Sequence, residues 1–380
     1  MEAFVQGVSV HGVVQARSSF ACSTQQRSAV FAAKSASASS RCVANGVTGL
    51  RATSELDQLK EMTVIVADTG DIDSIKKYKP TDATTNPSLI YAASQMPQYK
   101  SIVDSAVQYG VENSPNGASV SEVVELVRDK LSALFGAEIS KIVPGYVSIE
   151  VDARLSFDYE ASVAKAYRIL KLAEESGLPR ERVLIKLATT WEGCRVAECL
   201  QKDGINCNMT LLFSIAQAVA AADAGAKLIS PFVGRILDWY KKARGVDSIP
   251  ASEDPGVLSV RQIHEYYKCF GYDTIVMGAS FRSKDEVLEL AGCDRLTIAP
   301  KLLQELKEGT STVVRKLGPP ETCQAEKIEM DEPTYRWMMN EDPMATEKLA
   351  EGIRNFAKDT DLLDGQLAIL VKEKLGAAVV

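Results

Sequence analysis

Histidine is nearly missing from this 380-residue chain, which holds only His11 and His264. A Ser-His-Asp triad or a histidine-rich metal site would need His264 almost alone, because His11 sits in an N-terminal stretch of leader-like composition. Chemistry must therefore use Lys, Asp, Glu, Ser, Thr, Tyr or Cys. The eight cysteines form no C-x-x-C pair. They read as reduced thiols of an intracellular compartment, not as a disulfide frame or a zinc site. No uninterrupted stretch of about 18 apolar residues occurs, so no membrane span is expected. A long basic run is also lacking. Met1–Ser54 carries five basic residues against Glu2, a charge of +4, and the net charge of −7 leaves −11 for the remainder. An acidic body argues against a nucleic-acid partner.

With 46% hydrophobic and 24% charged residues the composition is that of an ordinary globular protein. Residues 1–54 are rich in Ser, Ala, Val and Arg and almost free of acids. That is the composition of an organelle transit peptide, plastid-like in its serine content, with cleavage expected between about Ala44 and Ser54. The expected location is the plastid stroma, with mitochondrion or cytoplasm as alternatives. A disordered tail without an address is the bland reading of the same residues. Residues 55–380 are expected to form one domain.

From there strands alternate with helices. Strands are expected at Met62–Ala67, Ala83–Thr85, Tyr146–Val151, Val183–Leu187, Asn206–Met209, Lys227–Phe232, Thr274–Met277 and Arg295–Ile298. A helix from Asp158 to Ser176 has a capping aspartate, Val163, Tyr167 and Leu170 at helical spacing, and Gly177 as its stop. Ser283 and Glu286 have the spacing of a capping box. Eight strands in strict alternation with helices predict an α/β fold, a parallel (β/α)8 barrel of TIM type with additional helices. A helical extension from Asp331 to Val380 lies outside that repeat.

One strand stands out. Lys186 interrupts the apolar run Val183-Leu184-Ile185-Lys186-Leu187. A buried ammonium is costly unless it is paired or gives up its proton, and a neutral lysine is a nucleophile for carbonyl carbon. If Ile185 and Leu187 point outward, Lys186 points into the barrel. Active sites of such barrels lie at the C-terminal strand ends. Those ends hold Asp68, Asn86, Glu150, Lys186, Asn208 with Thr210, Ser230 and Ser280. Each alone has a structural explanation: a cap, a turn, or, for Glu150, an ion pair with Lys186. Their convergence on one rim favours a site. Arg235 and Arg282, on the loops after the sixth and seventh strands, could clamp a phosphate, or could pair with surface acids.

Seven stretches carry a family resemblance. They are V-A-D-T-G-D from Val66, D-A-T-T-N-P-S-L from Asp82, E-V-D-A-R-L-S from Glu150, L-I-K-L-A-T-T-W from Leu184, G-I-N-C-N-M-T-L-L-F-S from Gly204, L-I-S-P-F-V-G-R-I-L-D-W from Leu228 and M-G-A-S-F-R-S from Met277. Together they resemble transaldolase, most closely the larger dimeric enzymes of bacteria and eukaryotes, over about Leu56 to Leu370. The resemblance implies a class I enzyme of the pentose phosphate pathway, a homodimer working without metal or cofactor. It implies transfer of a dihydroxyacetone unit from sedoheptulose 7-phosphate to glyceraldehyde 3-phosphate, giving erythrose 4-phosphate and fructose 6-phosphate. It places the Schiff-base lysine on Lys186, the acid/base glutamate on Glu150 with Thr210 beside a catalytic water, and the C–C cleavage aspartate on Asp68. Asn86, Asn208, Ser230 and Thr84 fall on substrate-binding positions, and Arg235, Ser280 and Arg282 on the phosphate pocket. Phe232 matches the aromatic residue beside the reactive water, where relatives that release the ketone freely carry Tyr. The segment Tyr335–Asn340 departs from the family pattern, which touches a lid or interface and not the core chemistry.

Overall fold

The computed structural model describes residues 53–320 and 322–377. The transit-peptide expectation for residues 1–54 therefore falls almost wholly outside the described residues. Eight parallel strands close on themselves in sequence order: β1 Val64–Asp68, β2 Asp82–Thr84, β3 Val147–Glu150, β4 Val183–Ala188, β5 Cys207–Leu212, β6 Leu228–Pro231, β7 Ile275–Gly278 and β8 Arg295–Ile298. This is the (β/α)8 barrel that the alternation predicts. All eight strands lie within two or three residues of their expected ends.

The strands sort their side chains by parity. Val66, Leu184, Leu228 and Met277 form a small apolar cluster apart from the main one. Ile65, Ile185, Leu187, Met209 and Ile229 belong to the large cluster shared with the surrounding helices. Successive residues on a strand face opposite ways, so the small cluster fills the barrel and the large one seals it against its helices. Lys186, two residues after Leu184, therefore points inward.

The fifth strand runs three residues beyond the expected Met209 and is irregular. Its register against β6 shifts between Met209 and Leu212, and Leu211 takes a positive φ of 52°. A left-handed conformation is strained for a leucine, and such bulges re-aim neighbouring side chains. Thr210 lies inside the irregular stretch.

The helix Tyr159–Glu175 starts as the sequence indicates, with Asp158 accepting from the Ala161 N–H at 3.0 Å. Its inner face differs from expectation. Tyr167 is exposed, and Ala166, Ile169, Leu170 and Ala173 make the buried stripe. A tyrosine's polar tip suits the boundary, where Tyr167 reaches Asp203.

The C-terminal extension is two helices, Glu332–Glu341 and Pro343–Ala377. The second, 35 residues long, spans about 50 Å at 1.5 Å per residue. Ile353, Phe356, Thr360, Leu363, Leu367 and Val371 are buried along one stripe at three- and four-residue spacing. Ion pairs fix it to the barrel's helices and loops: Arg128 with Asp364 at 2.5 Å and Arg154 with Asp361 at 2.9 Å.

Candidate active site

The C-terminal rim of the barrel encloses a cavity of about 60 Å³. Asp68, Thr84, Asn86, Lys186, Thr210, Ser230, Phe232, Arg235 and Ser280 line it, as do Thr297 and Phe356. Strand register explains the convergence. Glu150 pairs laterally with Lys186, Lys186 with Asn208, and Asp68 with Thr84. Lateral neighbours in a parallel sheet face the same side, so Glu150, Lys186 and Asn208 form one inward row.

Lys186 is 5% exposed. Its Nζ donates to the Thr85 carbonyl at 3.1 Å and lies 3.0 Å from Glu150 Oε2. The approach to Glu150 is off a hydrogen-bond direction, and Oε2 remains without a hydrogen-bond partner, as does Thr210 Oγ1. Both atoms are buried. A buried polar atom left unpaired is costly and marks a place that a further polar group can occupy. Burial raises the proton affinity of Glu150, and the positive charge of Lys186 only partly offsets it.

Asp68 lies across the cavity. Burial pushes its carboxyl up, against the opposing charge of Lys186, a hydrogen bond from Thr84 Oγ1 at 3.2 Å and the more distant Arg235. Thr84 Oγ1 also lies 3.2 Å from Thr297 Oγ1, so a threonine from β8 steadies the hydroxyl that steadies Asp68. A polar chain runs round the barrel wall: Ser230 Oγ donates to Asn208 Oδ1 at 2.7 Å, and Asn208 Nδ2 donates to Ser148 Oγ at 3.0 Å. These bonds fix the amide orientation of Asn208 while its residue stays fully buried. Asn86 serves two purposes. Its Oδ1 caps the helix Pro87–Ser94 by accepting from Leu89 N at 3.0 Å, and it lines the cavity.

The two arginines differ. Arg235 is drawn over the rings of Phe232 and Phe356, 4.8 and 5.4 Å from their centroids. Burial and the neighbouring charge of Arg282 lower its pKa. Arg282 does not line the cavity. Its guanidinium is held by Asp238, Nη2 to Oδ2 at 2.7 Å, while Nη1 lies 3.5 Å from Ser280 Oγ. Of the two expectations for Arg282, a phosphate clamp or a partner among the surface acids, this structure has the second, with the guanidinium beside Ser280 at the edge of the cavity.

Four lining residues were not among the expected site residues: the apolar Met277 and Ala279, and Thr297 and Phe356. Thr297 carried a signal, since it is a polar residue in an apolar strand, like the others at the rim. Phe356 carried none. It arrives from the long C-terminal helix, some 170 residues after Lys186, and sets its ring 5.9 Å from Lys186 Nζ. His264 takes no part. It is buried in the helix Pro255–Phe270, with Nε2 3.7 Å from Asp294.

The profile of the family described as Transaldolase/Fructose-6-phosphate aldolase matches residues 65–367. A transaldolase of Shewanella pealeana is 56% identical over 322 residues, which cover 85% of this chain and 99% of that protein. One of Actinobacillus pleuropneumoniae serotype 3 is 57% identical over 315 residues, 83% of this chain and 99% of the relative. One of Shewanella woodyi is 55% identical over 320 residues, 84% and 98% respectively. With the family profile spanning the whole barrel and these identities extending over nearly the full length of each relative, the chain belongs to the transaldolase/fructose-6-phosphate aldolase family.

Proposed function

We propose that Lys186 of this transaldolase carries a dihydroxyacetone unit as an imine, taking it from sedoheptulose 7-phosphate and passing it to glyceraldehyde 3-phosphate. Erythrose 4-phosphate and fructose 6-phosphate are the products. The observation that carries this reading is a single inward lysine, 3.0 Å from a buried glutamate whose proton affinity is raised. A group that holds protons more readily than an ordinary carboxyl is suited to take one from the attacking amine and return it when water leaves. Glu150 Oε2 and the Thr210 hydroxyl, neither of which has a hydrogen-bond partner, offer an acceptor and a donor to the water in that step.

The amine adds to the ketose C2 carbonyl, water departs, and the iminium becomes an electron sink. Asp68 takes the C4 hydroxyl proton, the C3–C4 bond breaks, and its electrons move into the imine as an enamine. Asn86, Asn208 and Ser230 hydrogen-bond the hydroxyls of the retained three-carbon unit. Phe232 packs edge-to-face on Phe213, 5.5 Å between centroids, and presents a wall without an exchangeable proton. That wall favours transfer to an aldehyde over protonation and release of the ketone. Arg235, Ser280 and Arg282 serve the phosphate.

Borohydride trapping tests the reading. Incubation with fructose 6-phosphate and reduction should leave a three-carbon adduct on Lys186, discharged by erythrose 4-phosphate added before the reductant. Release of free dihydroxyacetone without an acceptor would identify an aldolase instead. Absence of any adduct on Lys186 in the folded protein would end both readings.

We further propose that residues 1–54 direct the chain to a plastid and that the working enzyme is a homodimer. Support for the first is the serine-rich, acid-poor composition of those residues and a family match that starts only at residue 65. N-terminal sequencing of the protein recovered from isolated plastids, and sedimentation of the purified chain, are the respective tests.

A further inference from the structure

Glu286 is almost completely buried, at 2% exposure, and makes no ion pair among the described residues. A carboxyl in that position is expensive unless its oxygens are used. One is: Oε2 accepts the backbone N–H of Arg282 at 2.8 Å. The N–H of Ser283 also faces the carboxyl. Ser283 Oγ in turn accepts from Glu286 N at 3.3 Å, capping the short helix Lys284–Glu289. The spacing predicts a capping box, whose glutamate would bond the N–H of the cap residue itself. Here the well-made bond reaches one residue further back, into the loop that supplies Ser280 and Arg282.

That loop needs holding. Ser280 has a positive φ of 63°, unfavourable for a residue with a side chain. On one side the loop docks on the start of the helix Val233–Arg244. There the Val233 and Gly234 N–H groups donate to Ala279 O and Ser280 O, both at 2.9 Å. A Cβ at position 234 would come within 2.5 Å of Ser280 O, so the approach depends on glycine. On the other side the Arg282–Glu286 bond is the anchor. Between these two anchors lie Ser280, which lines the cavity, and Arg282, whose guanidinium waits on Asp238 at its edge.

We propose that Glu286 is a positioning residue for phosphate recognition: its buried carboxyl, bonded to the Arg282 N–H, locks the Ser280–Arg282 loop in its strained shape and so aims both side chains at the substrate phosphate. The proposal rests on the reading that this loop and Arg235 bind phosphate. Glu286 itself touches no substrate. Its neighbour Asp254 is fully buried, caps the helix Pro255–Phe270 through Gly256 N at 2.7 Å, and keeps Oδ2 unpaired. It adds negative charge beside Glu286 without sharing its bond.

The test compares Glu286→Met, which fills the volume without an acceptor, with Glu286→Gln, which keeps one. Two probes are used: KM for fructose 6-phosphate, and borohydride trapping of dihydroxyacetone, which has no phosphate, on Lys186. The Met variant should raise KM about tenfold, the equivalent of one lost hydrogen bond, while trapping of dihydroxyacetone stays within about twofold. The Gln variant should stay near wild type on both. An unchanged KM in the Met variant, or equal damage to both probes in both variants, overturns the proposal. Arg282→Ala is the control. If it leaves KM unchanged, the phosphate reading itself fails, whatever Glu286 does. If Arg282→Ala raises KM and Glu286→Met does not, only the positioning role is lost. Should the Met variant fail to fold, residue-resolved amide exchange on the wild-type enzyme decides. The Arg282 N–H should exchange at least about tenfold more slowly than that of Phe281, and equal rates would refute the anchor.

Discussion

Two lysines are buried to nearly the same degree, and their surroundings could hardly differ more. Lys165, 6% exposed, lies among the outer helices. It touches Glu125 at 2.5 Å and Asp129 at 2.8 Å, and Arg168 adds a second cation at 2.6 Å from Asp129. Burial works against ionisation of Glu125, yet hydrogen bonds from Lys165 and Arg168 hold its pKa down at about 2. Two cations face two carboxylates, and each carboxylate meets both cations. Lys186, 5% exposed, faces a cavity and one glutamate whose proton affinity is raised and whose Oε2, though 3.0 Å from the ammonium, has no hydrogen bond. Burial alone thus does not mark a reactive lysine. What marks it is incomplete satisfaction next to a space that a substrate can enter, with a proton acceptor in reach.

The largest expected effect separates the two outright. Lys186→Ala should lower turnover at least about 10⁴-fold, since among the described residues no other lysine lines the cavity, and should abolish the borohydride adduct. Lys165→Met should leave adduct formation intact; its loss in a folded protein would break the distinction. The same Lys165→Met change should instead cost stability, about 3 kcal/mol in urea unfolding. That is the low end for breaking a buried pair, because Arg168 remains beside Asp129. A cost near zero would mean that the cluster is solvated more than its burial suggests.

A smaller effect sharpens the proton chemistry. The Thr84 hydroxyl donates to Asp68 and favours its charged form. Thr84→Val should therefore raise the Asp68 pKa further and move the acid limb of kcat/KM up by about one pH unit. A downward shift, or none, would remove Asp68 from the role of base.

The smallest expected effect concerns Glu286, whose pKa burial pushes to about 7 from 4.5. For a carboxyl raised on folding, the native state prefers the protonated form. Its contribution to stability is full below about pH 4.5, declines as pH rises, and is lost above about pH 7. Glu286→Gln removes that ionisation. The variant should gain about 1–2 kcal/mol over wild type at pH 8 and no advantage near pH 4. The opposite slope would show that the carboxylate is held ionised.

Much of this could be read along the chain because it depends on parity and spacing. Lys186, Glu150 and Asn208 each interrupt an apolar strand, and strand alternation sends them inward whatever the details of packing. Asp158 and Gly177 bound a helix through local backbone needs. Tyr167 misled because helical spacing cannot tell an amphipathic tyrosine at a boundary from a core residue. The capping-box pattern at Ser283 located the helix but not the reach of Glu286 to Arg282, which depends on the shape of the preceding loop.

Residue order by itself determined the closed alternation of strand and helix, the inward lysine and the polar rim, because each follows from interactions within a few residues. Tertiary structure decided the rest. It brought Phe356 from the far end of the chain to cover Lys186. It turned Arg282 onto Asp238, left Glu150 Oε2 and Thr210 Oγ1 without a hydrogen bond, and gave Lys165 two carboxylate partners. Those outcomes depend on which groups distant in sequence compete for the same polar atoms once water is excluded, and no local pattern records that competition.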